Sequence, residues 1–356
     1  MAYIKLPGLI DPHVHLRDPD QTEKEDFYTG TASALAGGFT TVIDMPNNKN
    51  PITTFERLQE KRKIAQKKIV CDVGFYFGSL GNNLNEFPKV QKLVKGLKLY
   101  LNETTGNFII EKGRVEQIFQ AWGSTPILLH AEDDAVEFII ELVKKTGKKV
   151  HFCHISTKKD LEQIISAKQN NMPVSCGVTP HHLLLTEQDA KTLGPFGKMK
   201  PYLKSKKDVA FLWKNLHYID VVESDHAPHT IEEKRGNPPA GGPPFGVPGL
   251  ETTLPLLLTA VSEHRLYLDD IIRLCYKNPV RIFNIKRSND IYHHSAIEIN
   301  LLTSFIIHNS ELKTKCGWSP FDGWKVKGKV ERVFLRGKKV FENGKILAKP
   351  GSGMMI

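Results

Sequence analysis

Short apolar runs recur along the chain with amphipathic stretches between them, and the runs lack the polar alternation of a half-exposed strand, as strands buried on both faces do. Eight are predicted as parallel strands: Leu9–Leu16, Thr40–Met45, Val70–Phe77, Gly96–Leu101, Pro126–Ala131, Val150–Ile155, Pro173–Val178 and Ile219–Ser224. Between them the spacing predicts helices at Phe27–Ala36, Thr54–Lys67, Ala135–Thr146, Lys158–Asn170 and Asp208–Leu216, with Gly or Pro at many junctions. Eight strand–helix units in about 270 residues predict an α/β chain folded as a TIM (β/α)8 barrel. After residue 285 the periodicity weakens. Val326–Val330, Val333–Leu335 and Val340–Phe341, set around Gly328 and Gly337, predict a small C-terminal β appendage. The expected division is residues 1–285 for the barrel and 286–356 for an extension packed on it. The start at Leu6-Pro7-Gly8 leaves little room for an amino-terminal β-domain, and Asn237–Gly249, rich in Pro and Gly, is expected as an active-site loop.

In such a barrel, function gathers where strands end. The unusual polar residues fall there: His13 and His15 close the first strand, Asn47 follows the second, Lys98 lies in the fourth, His130 ends the fifth, His154 the sixth and Asp225 the eighth. His13 and His15 are two apart on a strand, so both side chains share a face and can reach one ion. Taken singly, each histidine has a plainer explanation as a core residue satisfied by backbone groups. Lys98, between Leu97 and Leu99, would place an ammonium inside the barrel at high desolvation cost. Two readings follow: a buried lysine–carboxylate pair, or a neutral amine that has reacted with carbon dioxide to give an anionic carbamate able to bridge two cations. Arg17 lies two beyond His15 on the same side, where its planar fork could hold a carboxylate; a surface salt bridge is the alternative.

Composition narrows the class without changing this picture. The apolar share is 40%, and the formal net charge of +10 comes from dispersed lysines. The densest stretch, Lys61 to Lys68, reads as an exposed helix face with no aromatics for base stacking, so no nucleic-acid partner is expected. Cys71, Cys153, Cys176, Cys275 and Cys316 are odd in number and form no Cys-x-x-Cys pair, which predicts a reducing compartment. With no secretory or membrane-spanning run, a cytoplasmic location and no membrane partner are expected.

The motifs Asp11-Pro12-His13-Val14-His15-Leu16-Arg17-Asp18-Pro19, Met45-Pro46-Asn47, Gly96-Leu97-Lys98-Leu99-Tyr100, His130-Ala131-Glu132, Cys153-His154, Pro180-His181-His182 and Ser224-Asp225-His226-Ala227-Pro228-His229 together resemble the dihydroorotases, in particular the dihydroorotase domain of the animal multifunctional pyrimidine-synthesis polypeptide. The resemblance covers nearly the whole chain, through Gly249-Leu250-Glu251-Thr252 to the tail. It implies two Zn2+ per subunit, bridged by carboxylated Lys98 and a hydroxide. His13, His15, Lys98 and Asp225 would hold one ion and Lys98, His130 and His154 the other, with Asp225 as general acid and base. The implied reaction joins N-carbamoyl-L-aspartate and dihydroorotate. Arg17, Asn47, Thr104, His229, Phe245 and Gly246 would meet substrate.

Three positions depart from the animal pattern. Thr105 stands for an aromatic in the closing segment, a part Phe108 could play; Lys200 stands for an arginine; and Gly177 stands for a glutamate associated with a further metal near His182, so a third metal is not expected. By the same resemblance a homodimer is expected, with aspartate carbamoyltransferase or carbamoyl phosphate synthetase as partners in one complex or polypeptide. Another cyclic amidohydrolase and an inactive scaffold are the competing functions. The retained His13, His15, Lys98, His130, His154 and Asp225 argue against the second.

Overall fold

The computed structural model describes residues 3–103, 109–236, 242–285 and 295–356. Eight parallel strands run in sequence order: β2 (Leu9–Val14), β3 (Phe39–Asp44), β4 (Asp72–Gly78), β5 (Gly96–Tyr100), β6 (Ile127–His130), β7 (Val150–Phe152), β8 (Val174–Val178) and β9 (Val221–Val222), after a short first strand β1 (Ile4–Pro7). Just past β9, the His15 amide donates to the His226 carbonyl at 2.8 Å and Val14 bridges His226 in parallel, which brings the last strand round to the first. The predicted (β/α)8 barrel is therefore the observed architecture. Six of its strands end one to three residues earlier than the apolar runs do, β8 ends with its run and β4 one residue later, so that His15, His154 and Asp225 lie just beyond the ladder.

Apolar residues account for both layers of packing. Ile10, Ile43, Met45, Tyr76, Leu128, Cys153 and Val221 fill the barrel interior with Phe283 and Ile285, while Leu9, Val14, Val42, Val73, Leu97 and Leu99 face the surrounding helices. The helices start where capping chemistry permits: Thr54 Oγ1 accepts from the Arg57 amide ahead of Phe55–Lys68, and Asp26 closes a capping box ahead of Phe27–Ala36.

One surface expectation fails. Lys61, read as part of an exposed helix face, is buried. Its ammonium lies 2.7 Å from Asp44 and donates to the Met45 carbonyl and Asn48 Oδ1, both at 2.9 Å, which ties Phe55–Lys68 beneath the end of β3. The buried carboxylate at the end of a barrel strand selects that lysine from its solvated neighbours.

The second sheet is antiparallel, in the order β1, β10 (Ala296–Ile306), β11 (Lys325–Leu335), β12 (Lys338–Glu342) and β13 (Lys345–Ile346). It is larger than the appendage read from the sequence and draws on both ends of the chain: Ile4 to Pro7 pair with Ile299 to Ala296. The stretch 1–285 thus includes four residues whose ladder hydrogen bonds belong to the appended sheet. The tail returns to the barrel, where the Val73 amide donates to Met354 and the Ile356 amide to Val73. Among the described residues no helix is long and apolar enough to cross a membrane.

Candidate active site

Strand geometry assembles the site from residues far apart in sequence. His13, at the end of β2, and His15, just past it, both aim Nε2 at one oxygen of Asp225, at 3.3 and 3.1 Å from Oδ1. Asn47, following β3, fixes the His15 ring through a 2.7 Å contact between Oδ1 and Nδ1, which leaves Nε2 for the site. From β6 and the end of β7, His130 Nδ1 and His154 Nε2 face each other at 3.2 Å. Arg17, His154 and Asp225 have φ of 62°, 38° and 43°, so left-handed backbone is concentrated where the strands give way to the site.

Lys98 lies wholly buried in β5, with Nζ 3.1 Å from Cys153 Sγ and 5.0 Å from the centre of the Tyr100 ring. Among the described residues no carboxylate is within ion-pairing distance of it, so the buried lysine–carboxylate pair is not formed. Burial, and for His13 the Lys98 charge, lowers that imidazole to about 4; burial likewise pulls His15, His130 and His154 below the ordinary range. These rings are neutral at pH 7 and offer lone pairs. His154 Nδ1 is buried without a hydrogen-bond partner.

One cavity is lined by His13, His15, Arg17, Asn47, Tyr100, His130, His154, Lys200, Asp225, Ala227, Phe245 and Gly246. Arg17 is buried at its mouth, Nε donating to the Pro228 carbonyl at 3.1 Å and Nη2 lying 3.1 Å from His229 Nε2. His229 stands behind Arg17, its Nε2 also 3.0 Å from the Phe245 carbonyl and its Nδ1 3.4 Å from Glu233. His182 is not on the cavity wall. Its ring is engaged by Thr179 Oγ1 at 2.8 Å and the Pro201 carbonyl at 3.0 Å. Thr104, Thr105 and Phe108 lie outside the described residues.

With this geometry in view, comparison with known proteins is specific. Residues 4–175 match the amidohydrolase family. Over 356 residues the chain is 42% identical to the multifunctional protein CAD of Squalus acanthias, covering 99% of this chain and 16% of that protein. It is 38% identical to the dihydroorotase of Pyrococcus furiosus over 97% of this chain and 83% of that one. The chain belongs to the dihydroorotase family of amidohydrolases. Among solved structures, the L-hydantoinase (dihydropyrimidinase) of Arthrobacter aurescens superposes with a TM-score of 0.93 at 27% identity, over 99% of this chain and 88% of that one.

Within this dihydroorotase frame, the sequence reading overlooked Glu223. Fully buried, it lies 3.4 Å from His13 Nδ1 and 3.5 Å from His151 Nε2, and it accepts from the His154 amide. One carboxylate thus braces two site histidines from different strands. It also occupies the space next to Gly177: a Cβ there would sit 2.5 Å from Glu223 Oε1. Glu223, just past β9, thus places a carboxylate beside Gly177, and His13, Cys153 and Glu223 offer ligand atoms within 4.8 Å of one another, as do His13, His15 and Asp225. A signal for Glu223 was present, since it is an acidic residue inside an apolar run, two positions before Asp225 and so on the same side.

Proposed function

We propose that this chain is a dihydroorotase, reversibly converting N-carbamoyl-L-aspartate to (S)-dihydroorotate and water in de novo pyrimidine synthesis. The observation that carries this reading is Arg17, a buried guanidinium opening on the same cavity as His13, His15 and Asp225. A buried cation calls for an anionic partner, and its fork matches a carboxylate. Dihydroorotate has that carboxylate, whereas hydantoins and dihydropyrimidines lack it. The level of identity to the Pyrococcus dihydroorotase supports the same choice.

The donor set suits metal. Neutral buried imidazoles, the unpartnered Nδ1 of His154 and a lysine without a counter-charge are costly in an apolar barrel unless cations and a carboxylated Lys98 complete them. His13, His15, Lys98 and Asp225 would hold one zinc, and Lys98, His130 and His154 the other. When bound, the ions supply Lewis acidity that acidifies water and polarises the amide carbonyl.

The chain's own residues supply the remaining chemistry. Arg17 holds the substrate carboxylate, which fixes the reacting amide over the histidines. Burial raises the Asp225 carboxyl above the ordinary range, against the opposing influence of His13 and Lys98. A carboxylate so placed takes a proton from the attacking water and hands it to the leaving amide nitrogen, then runs the same transfer backwards during ring closure. Lys200 adds a second positive charge to the wall, complementary to an anionic substrate. Gly246, with φ of 134° and no room for a Cβ beside the Ala227 carbonyl at 2.6 Å, lets the backbone form the cavity edge.

Asp225→Asn tests the assignment. It should lower kcat by roughly 10²- to 10⁴-fold in both directions while dihydroorotate still binds by calorimetry. Turnover at the unsubstituted rate would remove Asp225 from the proton transfer.

A further inference from the structure

Lys234 is a buried cation that the chemistry above does not use. It lies in the short helix Ile231–Arg235, which opens with a Thr230–Glu233 capping box, and its side chain is wholly enclosed. Nζ has three acceptors: the carbonyls of Lys198 at 2.9 Å, Pro244 at 3.0 Å and Gly246 at 3.1 Å. The Trp318 ring centre is 5.5 Å away, and Trp318 is itself anchored by a 2.7 Å hydrogen bond to the His229 carbonyl. Among the described residues no carboxylate is within ion-pairing distance of Nζ. The adjacent Glu233 is engaged instead by Lys24 at 2.7 Å and His229 at 3.4 Å.

An ammonium matched one donor to one carbonyl, with no counter-ion, is an expensive way to fill a core and a strong way to fix a backbone. Burial, and then the Lys198 charge, lowers its pKa to about 7, against the raising influence of the nearby Glu233 charge. The residues it grips matter. Phe245 and Gly246 line the cavity, and between the two carbonyls held by Lys234 the Phe245 carbonyl lies 3.0 Å from His229 Nε2. Three consecutive carbonyls are therefore turned towards the Thr230–Arg235 turn and its flank. The Gly246 amide is tied to the Lys198 carbonyl at 3.1 Å, so Lys198 and Gly246 share a direct bond as well as the lysine bridge.

We propose that Lys234 is a positioning residue for the substrate-binding backbone, stapling Pro244–Gly246 to the Lys198 segment so that the cavity edge is preformed for the pyrimidine ring. This rests on the dihydroorotase reading for its substrate. Its neighbour Glu233 braces the His229–Arg17 side, so one capped turn supports both the carboxylate-facing and the ring-facing walls.

The test is Lys234→Met in the full-length, zinc-loaded chain, with metal content and melting temperature measured alongside. KM for dihydroorotate should rise at least about tenfold with kcat within about threefold, because the loop acts on binding and not on proton transfer. Hydrogen exchange should accelerate at residues 242–249 and stay unchanged in the barrel strands, and Lys234→Arg should recover part of the KM. An unchanged KM, a loss confined to kcat, or exchange rising evenly across the protein overturns the proposal. Should Lys234→Met fail to fold, Lys234→Arg carries the same readouts, with a smaller rise in KM and the same localised exchange expected. If the unsubstituted chain does not turn over dihydroorotate, the functional reading falls, and localised or uniform exchange still decides the role of Lys234.

Discussion

At the scale of single residues, charge in a dry place does most of the selecting. Arg17 is held by the Pro228 carbonyl and by His229, and it lines the cavity that an anion would enter. Arg17→Ala should raise KM for dihydroorotate by roughly 10- to 100-fold, the equivalent of losing hydrogen bonds to a charged group. Steady-state kinetics checks this, with an uncharged hydantoin as the control whose turnover should not fall. Glu223 supports a second expectation. Gly177→Glu would set two carboxylates against each other in a buried site, destabilising the fold by roughly 3 kcal/mol, and Glu223→Ala in the same chain should recover much of the loss. Denaturant melts of the single and double variants measure the coupling; additive effects would show that the two positions do not share one space. That His13, His15, His130, His154 and Asp225 gather at one end of the barrel was legible in the sequence because polar residues stand out at the ends of apolar runs. For Glu223 the local hint was its place two before Asp225 in an apolar run; its role was not legible because its partners, His13, His151 and the His154 amide, come from other strands.

At the scale of elements, the apolar runs located the barrel strands closely, since a strand buried on both faces has little freedom in composition. Their ends were less legible. The regular ladder stops at Val14 and at Phe152, while the apolar pattern runs on through residues whose amides still bond across to neighbouring segments, His15 to His226, Cys153 to Leu129 and Ile155 to Gly177. Lys61 shows the other limit: a lysine on an amphipathic helix is indistinguishable from its solvated neighbours until Asp44 is known to lie beneath it. The joint between barrel and appended sheet depends on Glu251, at the start of the helix Leu250–Ser262, which accepts from the Lys313 amide at 2.8 Å, the Thr314 amide at 3.0 Å and the Ser33 hydroxyl at 3.0 Å. Burial raises its pKa from 4.5 to about 7, opposed by those donors. An acid that binds its proton more tightly folded than unfolded stabilises most below 4.5, and that contribution fades as pH rises through about 7. The melting temperature of the unsubstituted chain, relative to Glu251→Gln, should therefore fall between pH 4.5 and 7. A difference that stays constant over this window would mean that Glu251 titrates normally.

At the scale of the whole molecule, a parallel barrel sets the chemistry at one end, and a sheet built from both ends of the chain, joined through β1 and β10, packs beside it. That second sheet was only half legible: β1 is four residues long, and its partner lies some 290 positions away, beyond the reach of any local pattern. The net charge of +10 needs no nucleic acid to explain it, since both proposed reactants are anions and a positive field favours their approach. Dihydroorotate differs from hydantoin and dihydrouracil by the carboxylate that Arg17 is proposed to hold. The most direct measurement is kcat/KM of the zinc-loaded chain for dihydroorotate beside hydantoin and dihydrouracil. A preference for dihydroorotate of at least about 100-fold, worth nearly 3 kcal/mol, is the predicted result, with carbamoyl aspartate cyclised in the reverse direction. Equal or faster opening of the uncharged rings, or no turnover of dihydroorotate by metal-loaded protein, would contradict it.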